Sequence, residues 1–144
     1  MIFANQSLEV AEMSKPNHVS STTLVVEDEP DVREVLSLAL EMEGFIILQA
    51  ENGQQAIQML TTVSRFPAVV VLDLSMPILD GHGFLVRRAQ DPILAQIPVI
   101  VVSGSSRPVE ALPCIERFLQ KPVELAQLVE MIEHLVAAQQ MLAF

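Results

Sequence analysis

From residue 22 onward, short apolar runs alternate with longer segments whose apolar residues recur every three or four positions. Runs rich in β-branched and aromatic residues are typical of strands, whereas the three-to-four spacing predicts helices. The predicted strands are TTLVV (22–26), FIILQA (45–50), AVVVL (68–72), PVIVVS (98–103) and ERFLQ (116–120), and the predicted helices occupy 27–44, 52–63 and 81–91 and a segment that begins near residue 124.

The alternation of strands and helices predicts an α/β fold with a doubly wound, five-stranded parallel sheet. Five such strands fit the flavodoxin-like order 2-1-3-4-5. The third strand is apolar throughout, as expected of a strand covered on both faces. The apolar positions of the helices at helical spacing are Val32, Val35, Leu36, Ala39 and Leu40 in the first, Ala56, Ile57 and Leu60 in the second, and Leu125, Leu128, Val129, Ile132, Leu135 and Val136 in the last.

Composition indicates one globular domain. The chain has 144 residues, of which 51% are hydrophobic and 18% are charged, and this is enough to bury a substantial core. We assign the polar residues 1–21 to an N-terminal extension and residues 22–144 to the domain. A single cysteine, Cys114, excludes an internal disulfide and a cysteine-rich zinc site.

Charge and hydropathy limit the partners. Eight Lys and Arg residues against 18 Asp and Glu residues give a net charge of -10, which argues against binding nucleic acid because phosphate contacts need clustered cations. No apolar run approaches the roughly 18 residues that span a membrane, and the N-terminus does not resemble a signal peptide. We therefore expect a cytoplasmic protein without nucleic-acid or membrane contacts.

Polar residues stand at the ends of four predicted strands. Glu27 and Asp28 follow the first strand, Asp73 follows the third, Ser103 ends the fourth and Lys121 follows the fifth. In the order 2-1-3-4-5 these four strands are neighbours, and ligands of such sheets bind outside the carboxyl ends of the strands. The sequence therefore predicts one site at this edge.

The three carboxylates of this edge repel one another unless a cation compensates them. Mg²⁺ prefers oxygen ligands, so Glu27, Asp28 and Asp73 are candidate ligands, together with the backbone carbonyl of Ser75. A cation, a lysine and a hydroxyl suit the oxygens of a phosphoryl group, and Asp73 is the candidate nucleophile that accepts it.

Four segments carry a resemblance that extends from residue 22 to about residue 136. LVVEDEPDVREVL is similar to the acidic-pair segment of the receiver domains of two-component response regulators. VVVLDLSMPILDGHGF resembles their phosphoacceptor segment, VIVVSGSS their Thr/Ser segment, and RFLQKPV their Lys-Pro segment. The resemblance implies that Glu27 and Asp28 position Mg²⁺, and that Asp73 is the phosphoacceptor. It also implies that Ser103 and Lys121 contact the phosphoryl group, with Lys121 before a proline bond that is commonly cis.

Three features depart from that family's usual pattern. The first acid is Glu27 where aspartate is commoner. Phe118 occupies the aromatic switch position, where tyrosine is frequent, and has no hydroxyl to donate. Pro108 and Pro113 interrupt the stretch from Ser103 to Lys121, so we expect a shortened or irregular fourth helix.

The resulting hypothesis is a stand-alone phosphoacceptor whose Mg²⁺-dependent phosphorylation on Asp73 switches a protein–protein interaction. The resemblance implies a sensor histidine kinase or phosphotransfer protein as donor and a further protein as target, without turnover of a separate substrate. The alternative is a pseudo-receiver that binds a protein constitutively. A phosphoesterase with an Asp nucleophile would want a second aspartate at the position of Ser75, and a flavodoxin would need a hydroxyl-rich loop where this chain has EDE.

Overall fold

A computed structural model describes residues 22–74, 81–104 and 117–142. The expected N-terminal extension, Ser75 and the segment that contains Pro108 and Pro113 lie outside these ranges. The shortened or irregular helix expected between the fourth and fifth strands therefore stays a prediction. The elements are β1 Thr22–Val26, α1 Pro30–Met42, β2 Ile46–Ala50, α2 Gly53–Thr62, β3 Val69–Asp73, α3 Gly81–Ala89, a 3-10 turn Leu94–Gln96, β4 Val99–Ser103, β5 Arg117–Gln120 and α4 Leu125–Leu142.

All five strands form one parallel sheet in the order β2-β1-β3-β4-β5. The predicted α/β class, strand order and strand direction are confirmed. The register pairs Val26 with Leu72 and Asp73 with Val102, so the carboxyl ends of the central strands finish level with one another. Side chains that follow those ends are therefore brought to the same edge of the sheet.

Each face of the sheet supports its own core because alternate residues of a strand point to opposite faces. Leu24, Val70 and Val101 pack on one face with α2 and α3. Val25 and Val71 pack on the other face with residues of α1 and α4. β3 and β4 are buried along their whole length, as the apolar sequence of the third strand predicts.

The buried side of α1 differs from the apolar positions seen in the sequence. Leu40 is fully buried and Ser37 is 1% exposed, whereas Val32 and Val35 are 43% and 69% exposed. Ser37 and Leu40 follow Arg33 at helical spacing, and the Arg33 side chain makes its hydrogen bonds toward β1 and β2. The helix therefore turns to the sheet a side that carries Ser37 as well as Leu40, and it leaves part of its apolar stripe in solvent.

A fully buried arginine ties α3 to the segment before β4. The Arg88 guanidinium donates to the carbonyl of Ala95 at 3.0 Å through Nη2 and to the carbonyl of Ile97 at 3.0 Å through Nε. A buried guanidinium is tolerated only when hydrogen bonds replace its water, and these carbonyls supply them. The contacts fix the entry to β4, and so contribute to placing Ser103 at its far end.

No helix in the described parts of the chain is long and apolar enough to span a membrane.

Candidate functional site

Three carboxylates from two strand ends meet at the carboxyl edge of the sheet. Oxygen atoms of Glu27, Asp28 and Asp73 lie within 4.8 Å of one another. Glu27 and Asp73 are each only 6% exposed, and Asp28 is half-buried. A set of carboxylate oxygens at this spacing suits a hard cation such as Mg²⁺, which takes oxygen ligands and retains several waters.

Lys121 brings a positive charge to these carboxylates. Its Nζ lies 3.4 Å from Oδ2 of Asp73 and 3.8 Å from Oε1 of Glu27. The backbone N–H of Lys121 donates to the carbonyl of Ser103 at 2.8 Å, which holds the loop after β5 against the end of β4. The Lys121–Pro122 peptide bond is cis. The lysine side chain is 39% exposed, so its charge faces both the carboxylates and the solvent.

The electrostatic state of Glu27 reflects its crowded position. Burial is the largest cause that raises the pKa of Glu27 from 4.5 to about 7. Hydrogen bonds with the carboxyl groups of Asp28 and Asp73 and the negative charge of Asp73 act in the same direction, whereas the N–H of Glu29, which donates to Oε2 at 3.3 Å, opposes them. With a pKa of about 7, Glu27 is protonated in a substantial fraction of metal-free molecules near neutral pH, and a cation would displace that proton.

Ser103 and Phe118 lie on the same side of the sheet. Ser103 is buried at the end of β4, two residues after Val101, and Val101 pairs with Phe118 of β5. The half-buried Phe118 packs on the core that contains Val101. Since residues two apart in a strand share a face, the Ser103 side chain stands on the face against which the Phe118 ring packs.

Gly81 is held against the backbone that carries Asp73. Its N–H donates to the carbonyl of Leu74 at 3.1 Å. A Cβ atom at Gly81 would come within 2.5 Å of both the Asp73 carbonyl oxygen and the Leu74 Cα. Only glycine permits this approach, so the N-terminus of α3 buttresses the strand end at the candidate nucleophile.

Gly81→Ala is therefore expected to destabilise the fold by about 1–3 kcal/mol or more, because the clash is with backbone that cannot rotate away. Gly104→Ala is the matched control, since Gly104 follows Ser103 at the same edge and a Cβ there meets no atom of the described residues within 4 Å. Urea denaturation of both variants measures the difference. Equal stability of the two variants would contradict the close approach of Gly81.

An open groove runs from the carboxylates along α1. Its volume is about 970 Å³. One wall is the apolar stripe of α1 that the sheet leaves uncovered, and the other is the segment from Lys121 to Leu125 that leads into α4. The residues around the groove include Val32, Val35, Leu36, Val123, Leu125, Asp73 and Lys121.

The structure brings together the predicted residues Glu27, Asp28, Asp73 and Lys121, with Ser103 at the end of the neighbouring strand; Ser75 lies outside the described ranges. Sequence reasoning gave no role to Arg33, whose Nη1 donates to the Glu27 carbonyl at 2.7 Å. Its position one turn into the helix after the acidic pair was the available signal, but an arginine there is ordinarily solvated. Gly81 belongs to the phosphoacceptor segment VVVLDLSMPILDGHGF, yet its contact with the strand end depends on the fold.

A family model described as the response regulator receiver domain matches residues 23–133. Among curated proteins, the phosphate regulon transcriptional regulatory protein PhoB of Pseudomonas aeruginosa is 37% identical over 86 residues, which cover 60% of this chain and 37% of PhoB. The transcriptional regulatory protein PrrA of Mycobacterium tuberculosis is 34% identical over 122 residues, which cover 81% of this chain and 50% of PrrA. The chain thus spans half or less of the length of these two relatives.

A shorter relative matches over most of its length. A 14.6 kDa protein of Leptolyngbya boryana is 30% identical over 114 residues, which cover 76% of this chain and 86% of that protein. Among solved structures, the signal receiver domain of a signal transduction histidine kinase from Syntrophus aciditrophicus has a TM-score of 0.75 and 29% identity, and the match covers 83% of this chain and 92% of that domain.

Proposed function

This chain belongs to the response regulator receiver domain family of two-component systems, and from that premise we propose that it is a phosphoacceptor switch that takes a phosphoryl group on Asp73. The observation that carries the proposal is the pairing of Asp73 with Lys121 at 3.4 Å beside two further carboxylates within 4.8 Å. In-line phosphoryl transfer to a carboxylate needs positive charge to stabilise the phosphoryl oxygens, and here Lys121 and a cation held by the carboxylates would supply it.

The proposed reaction starts with a carboxylate oxygen of Asp73 attacking the phosphorus of the donor. The new O–P bond forms an acyl phosphate on Asp73, and the bond from phosphorus to the donor's leaving atom breaks with its electron pair remaining on that atom. Lys121 offsets the negative charge that gathers on the phosphoryl oxygens. Glu27 and Asp28 would hold Mg²⁺ with Asp73, and the bound cation would neutralise charge shared between phosphate and carboxylates.

The proposed output uses Ser103 and Phe118. The Ser103 hydroxyl is suited to donate to a phosphoryl oxygen on Asp73, since it ends the strand next to that of Asp73. A movement of the Ser103 side chain would change the space available to the Phe118 ring, which packs on the same side of the sheet. Burying a large apolar side chain contributes about 2 kcal/mol, enough to shift a two-state equilibrium more than tenfold.

The partners follow from the family. Receiver domains interact with histidine kinases or phosphotransfer proteins, so we propose a phosphohistidine protein as the donor, a second protein as the target and the cytoplasm as the location. The net charge of -10 supports a protein target over nucleic acid for this domain. The names of PhoB and PrrA describe transcriptional regulation by those longer proteins.

The pseudo-receiver alternative gains no support. A constitutive binding module has no need for Lys121 within 4 Å of both Asp73 and Glu27, nor for a carboxylate cluster whose mutual repulsion is a cost to the fold. The complete cluster favours the phosphoacceptor.

The proposal is tested by incubating the protein with acetyl phosphate and measuring its intact mass. We expect one added phosphoryl group in the presence of Mg²⁺ and none when EDTA removes the metal, because the carboxylate cluster repels the phosphate without a cation. Brief incubation at neutral pH limits loss of the acyl phosphate. A protein that stays unlabelled in Mg²⁺, or one labelled equally in EDTA, would sink the proposal.

A further inference from the structure

One arginine is hydrogen-bonded to the backbone of the acidic loop after β1. Arg33 lies one turn into α1 and is half-buried. Its Nη1 donates to the backbone carbonyl of Glu27 at 2.7 Å, and its Nε donates to Oε1 of Gln49 at 3.3 Å. The guanidinium therefore links α1, the end of β1 and a side chain of β2.

The backbone hydrogen bonds between β1 and β2 continue for one residue beyond the strands. The N–H of Glu27 donates to the carbonyl of Ala50 at 3.1 Å, one residue beyond the last paired residues of β1 and β2. In a regular parallel ladder the Glu27 carbonyl would next accept from the N–H of Asn52. Among the described residues the Asn52 N–H makes no such bond; Asn52 is the N-cap of α2, and its side chain accepts from the N–H of Gln55. Arg33 supplies the donor that the departing strand does not.

We propose that Arg33 is a positioning residue for the cation site: it fixes the backbone that carries the Glu27 and Asp28 carboxylates without itself contacting the metal. The inference rests on the proposed function, since it presumes Mg²⁺ at that cluster. Mg²⁺ demands near-ideal octahedral geometry, so a loop that holds its ligands in place before binding raises affinity. Groups that orient metal ligands are commonly worth about 10–100-fold in affinity.

The direction in which Mg²⁺ affinity changes when Arg33 is replaced distinguishes a positioning role from a purely electrostatic one. Arg33 is a cation one helical turn from an acidic cluster, so its removal would strengthen Mg²⁺ binding if charge alone mattered. Positioning predicts the opposite, because the loop of Glu27 and Asp28 loses its anchor. Arg33→Lys keeps the charge but replaces a rigid fork that serves two acceptors with a single flexible ammonium.

The experiment is Mg²⁺ titration by calorimetry of the wild-type protein, Arg33→Ala, Arg33→Lys and Arg65→Ala, at a temperature where all four are folded. We expect Arg33→Ala to weaken Mg²⁺ binding about 10-fold and Arg33→Lys to weaken it as well. Arg65→Ala changes the net charge equally at an exposed position before β3, and we expect it to leave the affinity within about 2-fold, since distant surface charges are screened.

A second measurement follows the loop directly in metal-free protein. The Glu27 amide, which donates to Ala50, should exchange with solvent faster in Arg33→Ala than in the wild type. Three results would overturn the inference while leaving the proposed function intact. They are Mg²⁺ binding by Arg33→Ala that is as tight as in the wild type or tighter, wild-type affinity in Arg33→Lys, and an unchanged exchange rate of the Glu27 amide in Arg33→Ala. A wild-type protein that binds no Mg²⁺ overturns the proposed function and this inference with it.

Discussion

Asp73→Asn is expected to abolish the Mg²⁺-dependent labelling of this protein by acetyl phosphate. The amide that replaces the carboxylate is a far weaker nucleophile and cannot form an acyl phosphate. It also removes one of the three carboxylates that lie within 4.8 Å of one another, so the same variant should show a smaller thermal stabilisation by Mg²⁺. Intact mass and melting temperature, each with and without Mg²⁺, measure both effects.

The matched control for this variant is Asp91→Asn. Asp91 lies in the turn after α3, where its carboxylate accepts from the N–H groups of Ile93 and Leu94, and asparagine can accept from the same donors. We expect Asp91→Asn to be labelled like the wild type. A phosphoryl group retained by Asp73→Asn would move the acceptor to another residue, and melting without Mg²⁺ shows whether a loss of label reflects unfolding.

The fold was predictable because its sequence pattern is locally consistent. Val69 to Leu72 form an uninterrupted β-branched and apolar run, as expected of a strand covered on both faces, and the structure buries β3 throughout. Element boundaries differ from the predicted ones by at most three residues, and β1 matches at both ends. The first helix begins at Pro30, where the proline is favoured because it lacks the N–H that a first turn leaves unpaired.

The location of the site was predictable for a related reason. Parallel strands place their carboxyl ends at one edge, so the strand order alone brings Asp28, Asp73 and Lys121 to the same region. The distances between them, such as 3.4 Å from Lys121 Nζ to Asp73 Oδ2, depend on register and loop conformation. The residue types indicated the chemistry, and the packing set the geometry.

Other features could not be read from the pattern because they depend on tertiary contacts. The apolar positions of α1 gave no indication that Val35 would be exposed while Ser37 is buried, since helix rotation is set by what the sheet and Arg33 offer. Arg88 is similar: a charged residue in a helix is ordinarily solvated, and its burial is tolerated because the carbonyls of Ala95 and Ile97 converge on it.

The carboxyl group of Glu27 should make metal-free protein less stable as the pH rises from about 4.5 to about 7. Its pKa is 4.5 in the absence of structure and is raised to about 7 in the folded protein, so the folded state binds the proton more tightly than the unfolded state does. The stability contributed by that proton is complete below the unfolded pKa and is lost as the pH passes through the folded pKa. The loss is on the order of 3–4 kcal/mol, at about 1.4 kcal/mol for each pKa unit.

Glu27→Gln isolates this contribution, because glutamine resembles the protonated acid and does not titrate. We expect the metal-free variant to exceed the wild type in unfolding free energy at about pH 8 and to match it near pH 5, when urea denaturation is measured at both pH values. Glu130→Gln, at an exposed position of α4, should keep the wild-type pH slope. Mg²⁺ should reverse the order at high pH, since it stabilises the wild type by replacing the proton that Glu27 loses. A wild-type stability that is flat across this range, or a slope that survives in Glu27→Gln, would show that Glu27 carries no excess proton in the folded protein.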